Sequence, residues 1–220
     1  QTMNHMTPEE ILDQMEELFP DAHCELNHRN PFELAVAVVL SAQTTDVSVN
    51  KITPALFERF PTPQLLAKAE LSEIEPYIHS IGLYRNKARS IKGCAAALVE
   101  KHQGIVPSTM KELTALPGCG RKTANVVLSV AFDVPAIAVD THVERVSKRL
   151  GLAKPDDSVL EVEKKLKRKI KRERWNKSHH LFIFFGRYQC TARNPQCDQC
   201  PFASFCKKDK LEAYRSQKKS

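Results

Sequence analysis

Apolar positions recur three and four residues apart along almost the whole chain, with little of the alternation that marks a half-buried strand. Thr7-Pro8-Glu9-Glu10 has the residues of a capping box, with proline at the first helical position. Ile11, Met15, Leu18 and Phe19 then share one face up to Pro20. Asn30-Pro31-Phe32-Glu33 repeats that start. The LAVAVVLSAQ that follows is apolar nearly all round, which predicts a central, buried helix. Its polar end, Ser41 to Asp46, carries Gln43, either a satisfied cap or a group aimed at a ligand. Val47 to Phe60 reads as a helix broken or kinked near Asn50 to Thr53 by Pro54. A short helix follows from Thr62-Pro63 to Ala69. Ser72-Glu73-Ile74-Glu75 predicts another capping box, with Gly82 as the stop.

Leu83 to Lys87 opens the next helix, which turns Ala88, Ile91, Ala95 and Leu98 inward and ends by Gly104. Leu83 sits in a turn beside Arg85 and Lys87, where an apolar side chain either packs back on the domain or wedges between DNA bases. Pro107-Ser108-Thr109 starts a helix that leads to a glycine-rich hairpin. Beyond it, Thr141-His142-Val143-Glu144 predicts a capping box and a helix to Leu150. Ser158 and Glu161 cap a strongly basic helix with Val159, Val162, Leu166 and Ile170 inward. Its charges form a solvated face, with long-range attraction of DNA as a secondary role. His179 to Tyr188 is aromatic-rich and buried, with His179 and His180 packed rather than ligating. The tail from Lys207 is expected to fray. There is no internal repeat and no low-complexity linker, and the long helix-favouring runs with little β-alternation make the fold class all-α.

Composition narrows the partner. Lys and Arg number 33 against 26 Asp and Glu, a net charge of +7 over 220 residues. Such an excess suits a polyanion, whose counterions the basic side chains replace. No apolar run approaches the roughly 20 residues of a membrane span, and no secretory leader is recognisable. The expectation is an intracellular protein without a membrane partner, in the cytoplasm or nucleoid if the source is bacterial. Gln1 to Asn4 precede Met6 and are expected to be partly foreign to the natural chain.

The chemistry concentrates between Leu113 and Val143. Leu116-Pro117-Gly118-Cys119-Gly120 joins two helices, and Gly118 and Gly120 are expected to adopt positive φ and leave backbone N–H groups uncovered. The next helix starts at Arg121, so its unpaired donors and positive end face the same space, and a phosphate fits there. Lys122 lies in that first turn. The helix end and Arg121 both disfavour a cation, which raises the share of neutral, nucleophilic amine. The plainer role is a lysine touching phosphate. Asp140 stands before a helix start. It is either a cap or a fixed carboxylate that stabilises a developing cation or assists proton transfer.

Seven cysteines are present, and four fall in one pattern, Cys190-x6-Cys197-x2-Cys200-x5-Cys206. Four thiolates in a compact loop hold either zinc or a [4Fe-4S] cluster. All four would be used, which makes the site structural. Arg193, Lys207 and Lys208 surround the loop with positive charge. Cys24, Cys94 and Cys119 are left as free thiols, with Cys119 open to solvent in the hairpin.

LPGCGRKTANVVL, VDTHV and the four-cysteine pattern resemble the endonuclease III family of helix–hairpin–helix DNA glycosylases. LSAQTTDVSVNK and IGLYRNKA match as well, so the resemblance covers almost the whole chain. It implies two helical domains with a DNA-binding cleft between them: a six-helix domain over 24–134, and an iron–sulfur cluster domain from 1–23 and 135–220. It implies a bifunctional glycosylase and abasic-site lyase, acting as a monomer on double-stranded DNA that contains oxidised pyrimidines or abasic sites. Lys122 would be the Schiff-base nucleophile and Asp140 the catalytic carboxylate. Gln43 and Leu83 would fill the space left by a flipped nucleotide. Pro117, Gly118, Gly120, Arg121, Thr123, His142 and Arg193 would contact DNA. Cys190, Cys197, Cys200 and Cys206 would hold a [4Fe-4S] cluster, a choice over zinc made by the resemblance and not by thiolate chemistry. Competing readings are an adenine-mismatch glycosylase, against which Lys122 argues, a non-catalytic damage sensor, and a zinc-braced DNA-binding module.

Overall fold

The computed structural model describes residues 6–219, so the expectation for Gln1 to Asn4 lies outside the described residues. Every regular element among them is helical. Helix α1 (Pro8–Leu18) begins with the capping box foreseen for Thr7 and Glu10. The chain divides into two compact units, Cys24–Val134 and Gln1–His23 with Pro135–Ser220.

Seven helical segments make up the unit Cys24–Val134: α2 (Pro31–Leu40), α3 (Asp46–Arg59), α4 (Pro63–Lys68), α5 (Leu71–Ile78), α6 (Tyr84–His102), α7 (Met110–Thr114) and α8 (Arg121–Phe132). Helix α2 is its axis. Every residue from Phe32 to Leu40 is buried, and each large apolar side chain so placed contributes roughly 1.5–3 kcal/mol. Helices α3, α6 and α8 pack around it. The one acid inside α2, Glu33, is bridged by Arg29 at 2.8 Å. Lone burial of that carboxylate would be costly.

Helix α3 runs through Pro54 without a break, which leaves only the kink of the two outcomes expected there. The proline removes one backbone hydrogen bond. Val49, Thr53, Leu56 and Phe57 are buried on the same helix, and Asn50 ties it down by donating to the Glu25 carbonyl (2.8 Å) and accepting from the Asn27 N–H (2.9 Å). Tertiary packing outweighs the local defect. Helix α5 starts one residue after Glu70, earlier than the expected box at Ser72. The Glu73 carboxylate accepts from the Glu70 N–H at 3.1 Å.

The second unit joins α1 to α9 (Thr141–Arg149), α10 (Val159–Lys169), α11 (Trp175–Tyr188) and α12 (Lys208–Lys218). Helix α9 packs on α10, α11 and α12, and α1 packs on α11. Phe182, Phe185 and Phe202 are fully buried with Ile11, Leu12 and Met15 of α1. Arg174 binds three acids of α1 in a row, Glu9, Asp13 and Glu16. Val162, Leu166 and Ile170 are buried as expected, but Val159 is 46% exposed because it opens the first turn of α10. The tail does not fray after Lys207. It forms α12, pinned by buried Leu211 and by Tyr214 and Lys218 binding Asp156.

Candidate functional site

Most helix starts in this protein are closed by a side chain. Thr7, Asn30, Thr45, Thr62, Thr109, Asp140 and Ser158 each accept a hydrogen bond from a first-turn N–H. Helix α8 has no such cap, because Gly120 occupies the position. Its leading donors are the ones a phosphate can take.

The hairpin before α8 lies against α6. Gly118 has φ +73°, and a Cβ there would sit 2.6 Å from Ser90 Cβ. A Cβ on Gly93 would lie 3.1 Å from Pro117 Cβ. Gly120 departs from the expectation of positive φ. It is extended (φ −83°, ψ −174°), and a Cβ on it would meet nothing within 4 Å. Gly118 is therefore needed for turn geometry and close packing, whereas Gly120 keeps an open face. Pro117 and Arg121 are exposed, Lys122 is half-buried in the first turn, and Thr123 is buried. Cys119 is buried rather than solvent-facing. Burial pushes its thiol up to about 11.

Gln43 and Leu83 share an unusual backbone. Both are left-handed, at φ 56° and 60°, and both are exposed, Leu83 by 54%. Ser41, not Gln43, caps the end of α2. For an L side chain the left-handed region costs about 1–2 kcal/mol, and an exposed leucine gains little from burial.

Helix α9 begins one residue earlier than the pattern suggested. Asp140, not Thr141, is the cap, with Oδ1 accepting from the Val143 N–H at 2.8 Å. The carboxylate is half-buried and fixed in direction. His142 follows in the same turn, its Nδ1 3.2 Å from Arg145 Nη2. Lys122 belongs to the unit Cys24–Val134. Asp140, His142, Arg193 and the four cysteines belong to the other.

Cys190, Cys197, Cys200 and Cys206 form no disulfide, and they lie near enough for their sulfurs to act on one another electrostatically. Burial pushes the Cys200 and Cys206 thiols up, and the neighbouring sulfurs add to the effect. Among the described residues no three His, Cys, Asp or Glu side chains are grouped tightly enough to hold one metal ion. Donors point at the sulfurs: the Phe202 N–H to Cys200 Sγ (3.4 Å) and Arg149 Nη1 to Cys190 Sγ (3.2 Å). Arg193 is exposed in the same loop.

Residues 36–172 match the model of the HhH-GPD superfamily of base excision DNA repair proteins. Residues 190–206, which begin and end on the first and last of the four cysteines, match the iron–sulfur binding domain of endonuclease III. Endonuclease III of Bacillus subtilis (strain 168) is 56% identical over 196 residues, 89% of this chain and 90% of that protein. The Escherichia coli (strain K12) enzyme is 45% identical over 96% of this chain and 100% of its own length. The chain belongs to the endonuclease III family. A solved structure of a trapped endonuclease III–DNA covalent intermediate, an estranged-adenine complex, superposes with a TM-score of 0.90 at 59% identity, covering 94% of this chain and 99% of that one. A thermostable thymine-DNA glycosylase, at 22% identity and a TM-score of 0.79, shares the fold.

As a member of the endonuclease III family the protein is a DNA glycosylase with lyase activity at abasic sites, and it carries a [4Fe-4S] cluster. The donor set fits that cofactor. Clustered thiols that raise one another's proton affinity are what a cationic cluster core relieves, and the N–H and guanidinium groups suit sulfur ligands.

Two residues went unnoticed in the sequence, Arg145 and Arg149. Arg149 donates to the Thr191 carbonyl (2.8 Å) and the Ala192 carbonyl (3.2 Å), and Arg145 to those of Gly186 (2.6 Å) and Cys190 (3.1 Å). The Lys207 N–H returns to the Arg149 carbonyl at 2.7 Å. Helix α9 thus grips the cysteine loop beside both Cys190 and Cys206. Only their spacing of four on a helix hinted that the two arginines share a face.

Proposed function

We propose that the enzyme removes oxidised pyrimidines from duplex DNA through an imine on Lys122 and then cleaves the strand by β-elimination. The observation that carries the reading is the start of α8, where Lys122 stands half-buried in the one turn of the hairpin that no side chain caps. Anchoring of the DNA backbone and presentation of an amine then come from one element.

The nucleotide must leave the stack before its C1′ can be reached. Gln43 and Leu83 fill the gap, and their exposed left-handed conformations fit residues held out for that purpose. The Nζ of Lys122 attacks C1′ through its lone pair, and the electrons of the N-glycosidic bond leave with the base, which takes up a proton. Opening of the sugar ring yields the imine. Loss of a proton from C2′ then expels the 3′ phosphate with the C3′–O bonding pair. Water hydrolyses the imine and returns the lysine. Asp140, fixed by its bond to the Val143 N–H, stabilises the positive charge that develops on the sugar and carries protons. Gly118, Gly120, Arg121 and Thr123 hold the backbone through the hairpin, with Pro117 against it, and His142 and Arg193 add contacts. Cys190, Cys197, Cys200 and Cys206 would hold the cluster, which braces the loop carrying Arg193.

Duplexes with a single thymine glycol, a single A:G mismatch or no lesion separate the readings. Strand incision confined to the thymine-glycol duplex is expected. Base loss from the mismatch alone, or binding without product, would overturn the proposal.

A further inference from the structure

The basic residues of α10 find no use in the reading above. Several converge, with the end of α9 and the start of α12, on a cavity of about 470 Å³ inside one unit. Seven cationic side chains line it, and no carboxylate does. Two are already neutralised: Lys148 by Glu144 at 2.8 Å, and Lys165 by Asp157. Lys154, Arg168, Lys169, Lys207 and Lys210 have no acidic partner among the described residues.

A plain reason for cations here is that α9 and α10 both end at the cavity. A helix C-terminus carries about half a negative charge, so the two ends balance about one of the five uncommitted cations. An excess of about four remains. The fold does not need that excess, since like charges crowded around a cavity repel one another. Gly151, at φ +77°, lets the Lys207 side chain cross it, with Cε 3.0 Å from where a Cβ would stand. One wall is apolar and aromatic, from Leu152, Pro155 and Tyr214.

We propose that this cavity is a second anion site, separate from the DNA-processing residues, which binds a short chain of linked phosphates, free or as the tail of a nucleoside triphosphate. Charge density selects that ligand over duplex DNA. Duplex phosphates follow one another at about 3.4 Å of axial rise along a convex strand, so a concavity about 8 Å across admits one or two. A triphosphate brings about four negative charges into the same space. The cavity lies at the C-terminal end of α9, whereas Asp140 lies at its N-terminal end, about 15 Å away along the helix axis.

The test is isothermal titration of the cluster-loaded full chain at about 0.15 M salt, with tripolyphosphate, ATP, AMP and orthophosphate. Tripolyphosphate is expected to bind one-to-one, at least tenfold tighter than orthophosphate or AMP. ATP equal to tripolyphosphate assigns the site to the phosphate chain alone, and tighter ATP adds the Leu152–Tyr214 wall as a base platform. Lys154→Gln with Lys210→Gln should weaken tripolyphosphate at least tenfold while leaving the melting temperature and the incision of lesion DNA unchanged. Three results would overturn the proposal: no preference for linked phosphates, unaltered binding in the double variant, or equimolar displacement of tripolyphosphate by lesion-free duplex, which would make the cavity part of a DNA surface.

Discussion

Helix α8 begins with Gly120 and helix α9 with Asp140, and the two starts leave their backbone donors in opposite states. At α9 the carboxylate turns inward on the Val143 N–H and is locked in place by it. At α8 the glycine offers no side chain, and the donors are left for a ligand. In the mechanism proposed above, one start fixes the catalytic acid, and the other holds the DNA and presents the amine. A helix N-terminus is a positive site in both cases. The residue before the helix decides whether that potential is spent within the protein or on the substrate.

Asparagine and alanine at 140 separate the two roles of the acid. Asp140→Asn keeps a good cap, so stability should hold within about 0.5 kcal/mol, while the incision rate falls on the order of a hundredfold. Asp140→Ala should lose the activity and about 1 kcal/mol of stability as well. Single-turnover incision and thermal melting read both. Equal activity in the wild type and the asparagine variant would reduce Asp140 to a cap.

The grip of α9 on the cysteine loop comes next. Arg149→Met removes charged hydrogen bonds to the Thr191 and Ala192 carbonyls and to Cys190 Sγ. A cost of about 3 kcal/mol is expected, with a fall in iron per chain measured alongside the melt.

The hairpin glycines should differ from each other. Gly118→Ala meets Ser90 and an unfavourable φ, and should destabilise by about 2 kcal/mol. Gly120→Ala meets nothing in the protein and should leave the melt unchanged while weakening DNA binding. Matching losses of stability in the two variants would contradict the division drawn between them.

The smallest effect is one of pH. Lys165, hydrogen-bonded to Asp157, holds that carboxyl down at about 2. A depressed folded-state value means the contribution is fully present above the ordinary aspartate value of about 4 and disappears as the pH falls toward 2. Asp157→Asn should flatten the acid limb of the stability curve across that window.

Local chemistry made much of this legible. Thr7, Asn30, Thr62 and Ser158 cap where their sequences say they should, and the apolar run of α2 is buried throughout. What escaped is tertiary. Pro54 is tolerated because buried neighbours outweigh one lost bond, and α12 forms because Asp156 and a buried Leu211 hold it. Asp140 caps as one of its two readings had it, but the start of α9 was misplaced by one residue, since Thr141 and Glu144 satisfy the same capping pattern. The left-handed turns at Gln43 and Leu83 use residues with no conformational preference for them, so no local signal announces them. Arg145 and Arg149 went unnoticed because the carbonyls they bind lie more than forty positions away in the chain.

The most direct test of the division between the two helix starts is borohydride trapping on a thymine-glycol duplex. The wild-type chain should give a covalent protein–DNA band, and Lys122→Gln should give none while still binding the duplex. A trapped band of undiminished yield from Lys122→Gln would show that the amine resides elsewhere and would contradict the account.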